Sequence, residues 1–515
     1  MEAGLELEMP SSYGINDKKI VEAVKSGRLS EEVLDRAVER LLTIIFRATD
    51  NKKEGAGYDK FAHHSLAKEV AKECVVLLKN DDNILPLKKE GTIAIIGAFA
   101  KNSRYQGGGS SHVNPTMLDI PYNEIEKLVG NDVKLLYAEG YSLTEDNVDN
   151  NLINEAKEVA KKADTVVIFA GLPDSYESEG YDRPHMRMPE SHNRLISEVA
   201  NVQDKTVVVL CNGASVEMPW LDKAKGLFEC YLAGQAGGSA IAELLFGLAN
   251  PCGKLAETFP KKLSHNPSYL NFPGEDDRVE YREGIFVGYR YYDKKGIEPL
   301  FPFGYGLSYT KFEYTGIYVD KKEMNGNETV NVTVKVKNVG SLPGKEIVQL
   351  YVRDIESSVI RPEKELKGFE EVELQPGEEK AVTFTLGKRA FAYYNVDIKD
   401  WYVETGDFEI LVGRSSRDIL LRETIRVKST AKIKKRFTRN TTIGDLMEDL
   451  FGSEVFKQMV EQLKQSSPIF AGLENPQMVR AMFRYMPLRN LITFSQGAFT
   501  EEMLTGLLEK LNKGW

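Results

Sequence analysis

The sequence predicts a multidomain protein. An α/β sandwich, with a mostly parallel sheet and flanking helices, is followed by an all-β sandwich and then by a helical tail. Three observations carry this prediction. The chain has 515 residues, more than one ordinary core accommodates. Between residues 66 and 260 continuous apolar runs alternate with helical stretches, and from about 325 the apolar period drops to two.

The elements follow in chain order. Residues 1–65 open with MEAGLELEMP, a short apolar-alternating segment that reads as a strand, and then turn helical. Val33, Leu34, Ala37, Val38, Leu41, Leu42 and Ile45 fall at the three-four spacing of a buried helix stripe, with Glu31 and Glu32 in its first turn. Nothing upstream offers that stripe a partner. Over 66–260 the runs TIAIIGAFA, VKLLYAEG, TVVIFAGLP, KTVVVLCNG and GLFECYLAG each end at or near a glycine, separated by segments such as LINEAKEVAKKAD. Such runs form a sheet buried on both faces, whose ligand crevice lies beyond the carboxyl ends of its strands. Residues 261–324, rich in aromatics, Pro and Gly, read as an ordered connection. Residues 325–428 alternate as VNVTVKVKNVG, EIVQLYVRD, KAVTFTLG and GDFEILVGRSS, a small antiparallel sandwich. In 429–515 the basic patch KIKKRFTRN precedes VFKQMVEQLKQ and TEEMLTGLLEKLN, both helical in pattern. Their apolar positions fit an oligomer contact and packing on the sandwich equally well.

Composition narrows the function classes. With 77 acidic against 67 basic residues the net charge is -10, the wrong sign for a nucleic-acid surface. Cys74, Cys211, Cys230 and Cys252 show no CxxC spacing, so neither a disulfide framework nor a zinc knuckle is expected. The chain shows no signal-peptide pattern and no membrane-spanning apolar run, so the expected address is cytoplasmic, without a membrane partner.

Two stretches carry candidate chemistry. ESEGYDR, Glu177 to Arg183, lies just beyond the third apolar run. A glycosidase needs one carboxylic acid to protonate the leaving oxygen and a second carboxylate to attack or to activate water, and a strand-end loop can supply the first. The same pattern fits a solvated acidic loop with Arg183 as a local ion-pair partner. YQGGGSSHVNP, Tyr105 to Pro115, follows the first run; its glycines permit close backbone approach to a ligand, and it fits a flexible surface loop equally well. It lacks both nucleotide-binding glycine spacings. His63, His64, His112, His185, His192 and His265 form no metal spacing, and no G-x-S-x-G elbow occurs, so neither a catalytic zinc nor a serine hydrolase is expected. The many Tyr and Phe of the second sandwich read as core and interface.

Taken in order, ESEGYDR, MPESHNRLI, CNGASVEMPW, GQAGGSAIAELLFGLANPCGKLAETFP, YREGIFVGYRYYD and FPFGYGLSYTKFEY resemble glycoside hydrolase family 3, most closely its intracellular bacterial β-glucosidases. The resemblance implies an α/β sandwich at 66–260 and a fibronectin type III-like domain at 325–428. It also implies that GLELEMP corresponds to the end of a (β/α)8-type barrel, so the chain is expected to begin where the barrel finishes. The family's nucleophilic aspartate sits on that barrel in an S-D-W segment that this chain does not contain. No nucleophile is therefore expected within the chain.

The family's acid/base pattern lands on Glu179, Gly180 and Arg183, making Glu179 the expected acid/base and Glu177 its fallback. Ser110, Ser111 and Arg183 are the expected substrate-binding residues, and the loop from Gly107 to His112 a wall of the substrate entrance. No metal or organic cofactor is expected. A neighbouring carboxylate such as Glu177, with a closing barrel surface, would raise the pKa of Glu179; with the loop open to water, Glu179 is expected to titrate as an ordinary glutamate. The resemblance thus implies a retaining β-glucosidase-type hydrolase acting on β-glucosides or short oligosaccharides, present as a C-terminal portion that is silent alone, with a barrel in trans as its protein partner. The alternative is a non-catalytic accessory subunit or remnant that binds such a barrel or a sugar. Self-association is left open, and glucoside is not distinguished from xyloside.

Overall fold

The computed structural model describes residues 1–431, 436–463, 484–495 and 497–513. The chain opens in coil: MEAGLELEMP forms no strand, a correction to the expectation, because no neighbouring strand offers it a ladder. Helices α1 (Ile15–Lys25), α2 (Glu31–Asp50) and α3 (Lys60–Cys74) follow. The stripe on α2 exists but is not buried: only Ala37 is fully covered, while Leu42, Ile45 and Phe46 are 42%, 54% and 59% exposed.

A six-stranded sheet comes next, built from β1 (Val76–Asn80), β2 (Thr92–Ile96), β3 (Lys134–Ala138), β4 (Thr165–Gly171), β5 (Thr206–Cys211) and β6 (Gly226–Glu229). Spatial order is β1-β6-β5-β4-β2-β3. All neighbours are parallel except β1, which pairs antiparallel with β6. The edge strand β1 is an addition to the sequence reading: VVLLKN follows α3 without the glycine punctuation that marks the other runs. Val166 to Ala170 and Val207 to Leu210 are wholly buried, as strands covered on both faces must be. Helices α4 (Pro121–Val129), α5 (Asn150–Ala160), α6 (Glu190–Ala200) and α7 (Gly237–Leu245) provide the cover. From β2 the chain steps outward to β3, then returns past β2 to β4 and proceeds the other way through β5 to β6. The direction therefore switches between β2 and β4, where a crevice opens in such sheets.

The connection contains α8 (Tyr289–Lys295) and ends earlier than the sequence suggests. Phe312–Val319 is already a strand of the second sandwich and pairs with Val330–Asn338, so the sandwich takes in residues before 325. One of its sheets has three strands and the other five. Val330, Val332, Val334 and Val336 point inward and are fully buried, as their alternation requires.

The tail forms a helical unit with its own core. Phe437, Ile443, Leu446, Phe456, Leu488, Phe499, Leu504 and Leu511 pack together, using helices Leu450–Leu463 and Glu501–Lys513. Among the described residues, these apolar positions pack on one another. A Thr442/Asp445 capping box starts its first helix. Part of the basic patch, residues 432–435, and the end of the VFKQMVEQLKQ stretch lie outside the described residues.

Candidate active site

The candidate site lies at the switch point. Three loops meet beyond the carboxyl ends of adjacent strands: the glycine-rich loop after β2, the ESEGYDR loop after the central strand β4, and the CNGAS loop after β5. Glu179 is exposed, and one of its carboxylate oxygens accepts the backbone N–H of Ser110 at 2.6 Å together with the Ser110 hydroxyl. These two bonds favour the charged form and hold the Glu179 carboxyl below the usual glutamate range. The expectation of an ordinary titration is corrected accordingly. Glu177 contributes nothing to that shift, because its side chain turns the other way.

Glu177 accepts the Gly213 N–H at 2.8 Å and faces the Arg104 guanidinium at 3.8 Å. Its backbone carbonyl accepts from Arg104 Nη2 at 3.2 Å. Of the expected substrate-binding residues, Ser110 touches Glu179, whereas the Ser111 hydroxyl donates to the Gly108 carbonyl at 3.2 Å within its own loop. Arg183 donates to the Ser215 carbonyl at 3.0 Å, and its charge faces Glu177 and Glu257. The structure therefore brings Ser110 and Glu179 together and sets Glu177 and Arg183 toward the β5 loop.

Glycine is required at two points of this contact. Gly109 has φ +81°, and a Cβ there would meet Glu179 Cβ at 2.4 Å. A Cβ on Gly108 would meet Ser178 Oγ at 2.7 Å. The glycine-rich loop is thus seated on the ESEGYDR loop.

Beside the site a hollow of about 320 Å³ is lined by Arg104, Tyr105, Gln106, His112, Leu143 and Asp174, among others. A larger one, about 800 Å³, lies around Arg361, Lys367, Tyr394 and Trp401 in the second sandwich and contains none of these carboxylates. Size alone does not locate the chemistry here.

Beneath the loops sits Glu229, fully buried at the end of β6. It accepts from Asn212 Nδ2 and from the Tyr231 N–H, both at 3.0 Å. Burial pushes its carboxyl well above the usual range, because the charged form is penalised away from water. Sequence reasoning missed Arg104, Gly213 and Glu229. The first two stand at recognisable places, directly before YQGGGSS and at the end of KTVVVLCNG, but nothing local distinguishes an arginine that spans two loops from one that faces water.

The α/β layer places the three strand-end loops at the switch point of a mostly parallel sheet. Residues 75–309 match the glycosyl hydrolase family 3 C-terminal domain, and residues 346–416 match the fibronectin type III-like domain. The chain is 63% identical over 513 residues to thermostable β-glucosidase B of Acetivibrio thermocellus, covering 99% of this chain and 68% of that one. It is 40% identical to an exo-α-(1→6)-L-arabinopyranosidase of Bifidobacterium breve, over 96% of this chain and 65% of that one. Among solved structures, the GH3 β-glucosidase of Bifidobacterium adolescentis superposes with a TM-score of 0.81 at 41% identity, covering 88% of this chain and 66% of that chain. The chain belongs to glycoside hydrolase family 3. It spans about two thirds of the length of these relatives.

Proposed function

We propose that this chain supplies the proton-donating half of a retaining β-glucosidase, with Glu179 as the acid/base. The observation that carries the reading is the position of Glu179, exposed beyond the central strand at the switch point with its carboxylate hydrogen-bonded to Ser110. In a retaining reaction a nucleophilic carboxylate about 5–5.5 Å from the acid attacks the anomeric carbon while the acid protonates the departing oxygen. The acid, now a base, then takes a proton from the water that releases the sugar. The nucleophile in this proposal comes from outside these 515 residues, and its approach is what raises the Glu179 pKa. Burial by an incoming surface, together with a second carboxylate nearby, disfavours the charge that Ser110 stabilises in the open site.

The substrate class proposed is β-glucosides and short β-linked oligosaccharides, supported by the 63% identity to a β-glucosidase. The arabinopyranosidase relative is a warning that a different pyranose fits the same C-terminal frame. A second reading, a non-catalytic subunit that docks a barrel chain, draws on the exposed apolar stripe of α2.

Hydrolysis of an aryl β-glucoside by the chain, with and without an added family barrel, beside Glu179→Gln, tests both. The donor reading expects turnover once the barrel is present and a loss of about 10²–10⁴-fold in the variant. Barrel binding without any turnover favours the accessory subunit. Turnover that Glu179→Gln leaves intact removes Glu179 from the mechanism.

A further inference from the structure

Arg104 spans the switch point. Its side chain is only 7% exposed although it sits in a surface loop. From the β2 side it donates through Nη1 to the Gln106 carbonyl at 2.6 Å, shaping the start of the glycine-rich loop. Across the gap it reaches the β4 loop three times along its length: Nε to the Leu172 carbonyl at 2.9 Å, Nη1 to the Asp174 carboxylate, and Nη2 to the Glu177 carbonyl at 3.2 Å. One rigid fork thereby sets the distance between the two loops that carry Ser110 and Glu179. From the other flank, the Gly213 N–H after β5 binds the Glu177 carboxylate at 2.8 Å. This grip is close: a Cβ on Gly213 would come within 3.0 Å of Glu177 Oε1. Asn212, its neighbour, is held from below by buried Glu229 at 3.0 Å.

We propose that Arg104 and Glu177 are positioning residues for the proton donor: Arg104 clamps the Glu179 loop to the glycine-rich loop, and Glu177 straps it to the β5 loop. Glu177 is then a strut rather than a reserve acid. Its backbone and its carboxylate are both engaged away from Glu179, and a group so used cannot also swing to a leaving oxygen without releasing Gly213. The inference rests on the donor reading for its catalytic meaning but not for its geometry, and the two are separable by experiment.

Amide hydrogen exchange on the full chain reads the geometry, with the β4 and β5 strand amides as an internal control for folding. Glu177→Ala is expected to speed exchange of the Gly213 amide about tenfold, the worth of one net hydrogen bond. Glu177→Gln, which keeps an acceptor oxygen there, is expected to stay within about threefold of the parent. Arg104→Ala is expected to speed exchange at both Ser110 and Gly213, with Arg104→Lys intermediate because an ammonium reaches fewer of the four acceptors. Should Arg104→Ala lose the strand protection, the Arg104→Lys and Glu177 pairs decide. Unchanged exchange at Gly213 in Glu177→Ala, or at both amides in the Arg104 variants, overturns the proposal.

Kinetics read the role. In the aryl-glucoside assay Glu177→Gln is expected to keep kcat/KM within about threefold, whereas Glu179→Gln loses at least about a hundredfold. Azide, which replaces a missing acid/base by attacking the glycosyl intermediate directly, is expected to rescue Glu179→Ala and not Glu177→Ala. Azide rescue of Glu177→Ala would make Glu177 the acid and overturn the strut. If instead Glu179→Gln is harmless while the Arg104 variants still loosen the loops, the donor reading falls and the clamp stands.

Discussion

The ESEGYDR loop and helix α2 make an instructive pair. Both were marked in the sequence by a strong local pattern, the first by charge and the second by apolar periodicity, and in both the pattern forms the element it announces. The loop, which looks like solvated surface, is braced on both flanks by Arg104 and Gly213. The helix, which looks like core, leaves Leu42, Ile45 and Phe46 substantially exposed. Local sequence specifies conformation, whereas burial depends on what stands opposite, and that is a property of other parts of the chain or of another chain.

The hardest test of this contrast is made in the strand beneath the loop. Phe169 in β4 is wholly buried, so Phe169→Ala should cost about 3–5 kcal/mol, the usual sum of lost transfer energy and residual cavity. Urea unfolding followed through the exchange of the β4 and β5 amides measures this on the α/β domain itself. A cost below about 1 kcal/mol would mean that the centre of the sheet is no better packed than α2.

Two buried titrating groups of the same domain sharpen the comparison through pH. His192 on α6 accepts the Gly171 N–H at 3.3 Å against Tyr141 and Phe99, and burial lowers its pKa to about 3. The unfolded chain therefore binds a proton that the folded one refuses, and stability falls as pH drops from about 6.5 toward 3. Glu229 has the opposite sign, because its pKa is raised. The folded state keeps a proton that the unfolded state loses, so stability falls as pH rises above the usual glutamate range. His192→Gln should flatten the acid slope of Tm, and Glu229→Gln the alkaline one, whatever constant offset each introduces. Nothing comparable is available in α2, whose charged groups lie in solvent.

These groups also mark how far sequence reasoning reached. The sheet was legible because Val166 to Ala170 and Val207 to Leu210 are short continuous apolar runs rich in β-branched residues and closely followed by glycine, which together mark buried strands. Glu179 was legible only through a family resemblance, since a loop glutamate has no physical mark in isolation. Glu229 was hidden inside the run GLFECYLAG, where a lone acid reads as the edge of a strand rather than its buried end. Arg104 was hidden for the converse reason: three of its four acceptors are backbone carbonyls, two of them about seventy residues along the chain, and carbonyls leave no trace in side-chain patterns. In the helical tail the described apolar positions pack into a cluster of their own, an arrangement the two stripes do not show until their helices are set side by side.

A smaller effect tests the contact across the switch point. Ser110→Ala removes the hydroxyl from Glu179 and leaves the backbone donor. The Glu179 pKa should then rise toward the usual glutamate value, as read by carboxyl ¹³C titration. Since the folded value is depressed, the contact operates above the ordinary carboxylate range and is lost as acid titrates Glu179. An unmoved titration in Ser110→Ala would assign the shift to the backbone alone.

The smallest expected effect carries the most information about α2. Ile45→Ser and Phe46→Ser remove apolar surface that already touches water, so neither should change the stability of the chain by more than about 0.5 kcal/mol. If α2 packs on a partner, the same substitutions should instead weaken that association, because each side chain then loses about 1.5–3 kcal/mol of burial it would have gained. Sedimentation of the chain with and without a family barrel separates the two quantities. Loss of stability in the isolated chain would show that α2 is already engaged on its own fold, and the contrast with the braced loop would disappear. Unchanged stability with weakened association would show that the exposed stripe of α2 supplies affinity for a partner while adding nothing to the fold of the chain itself.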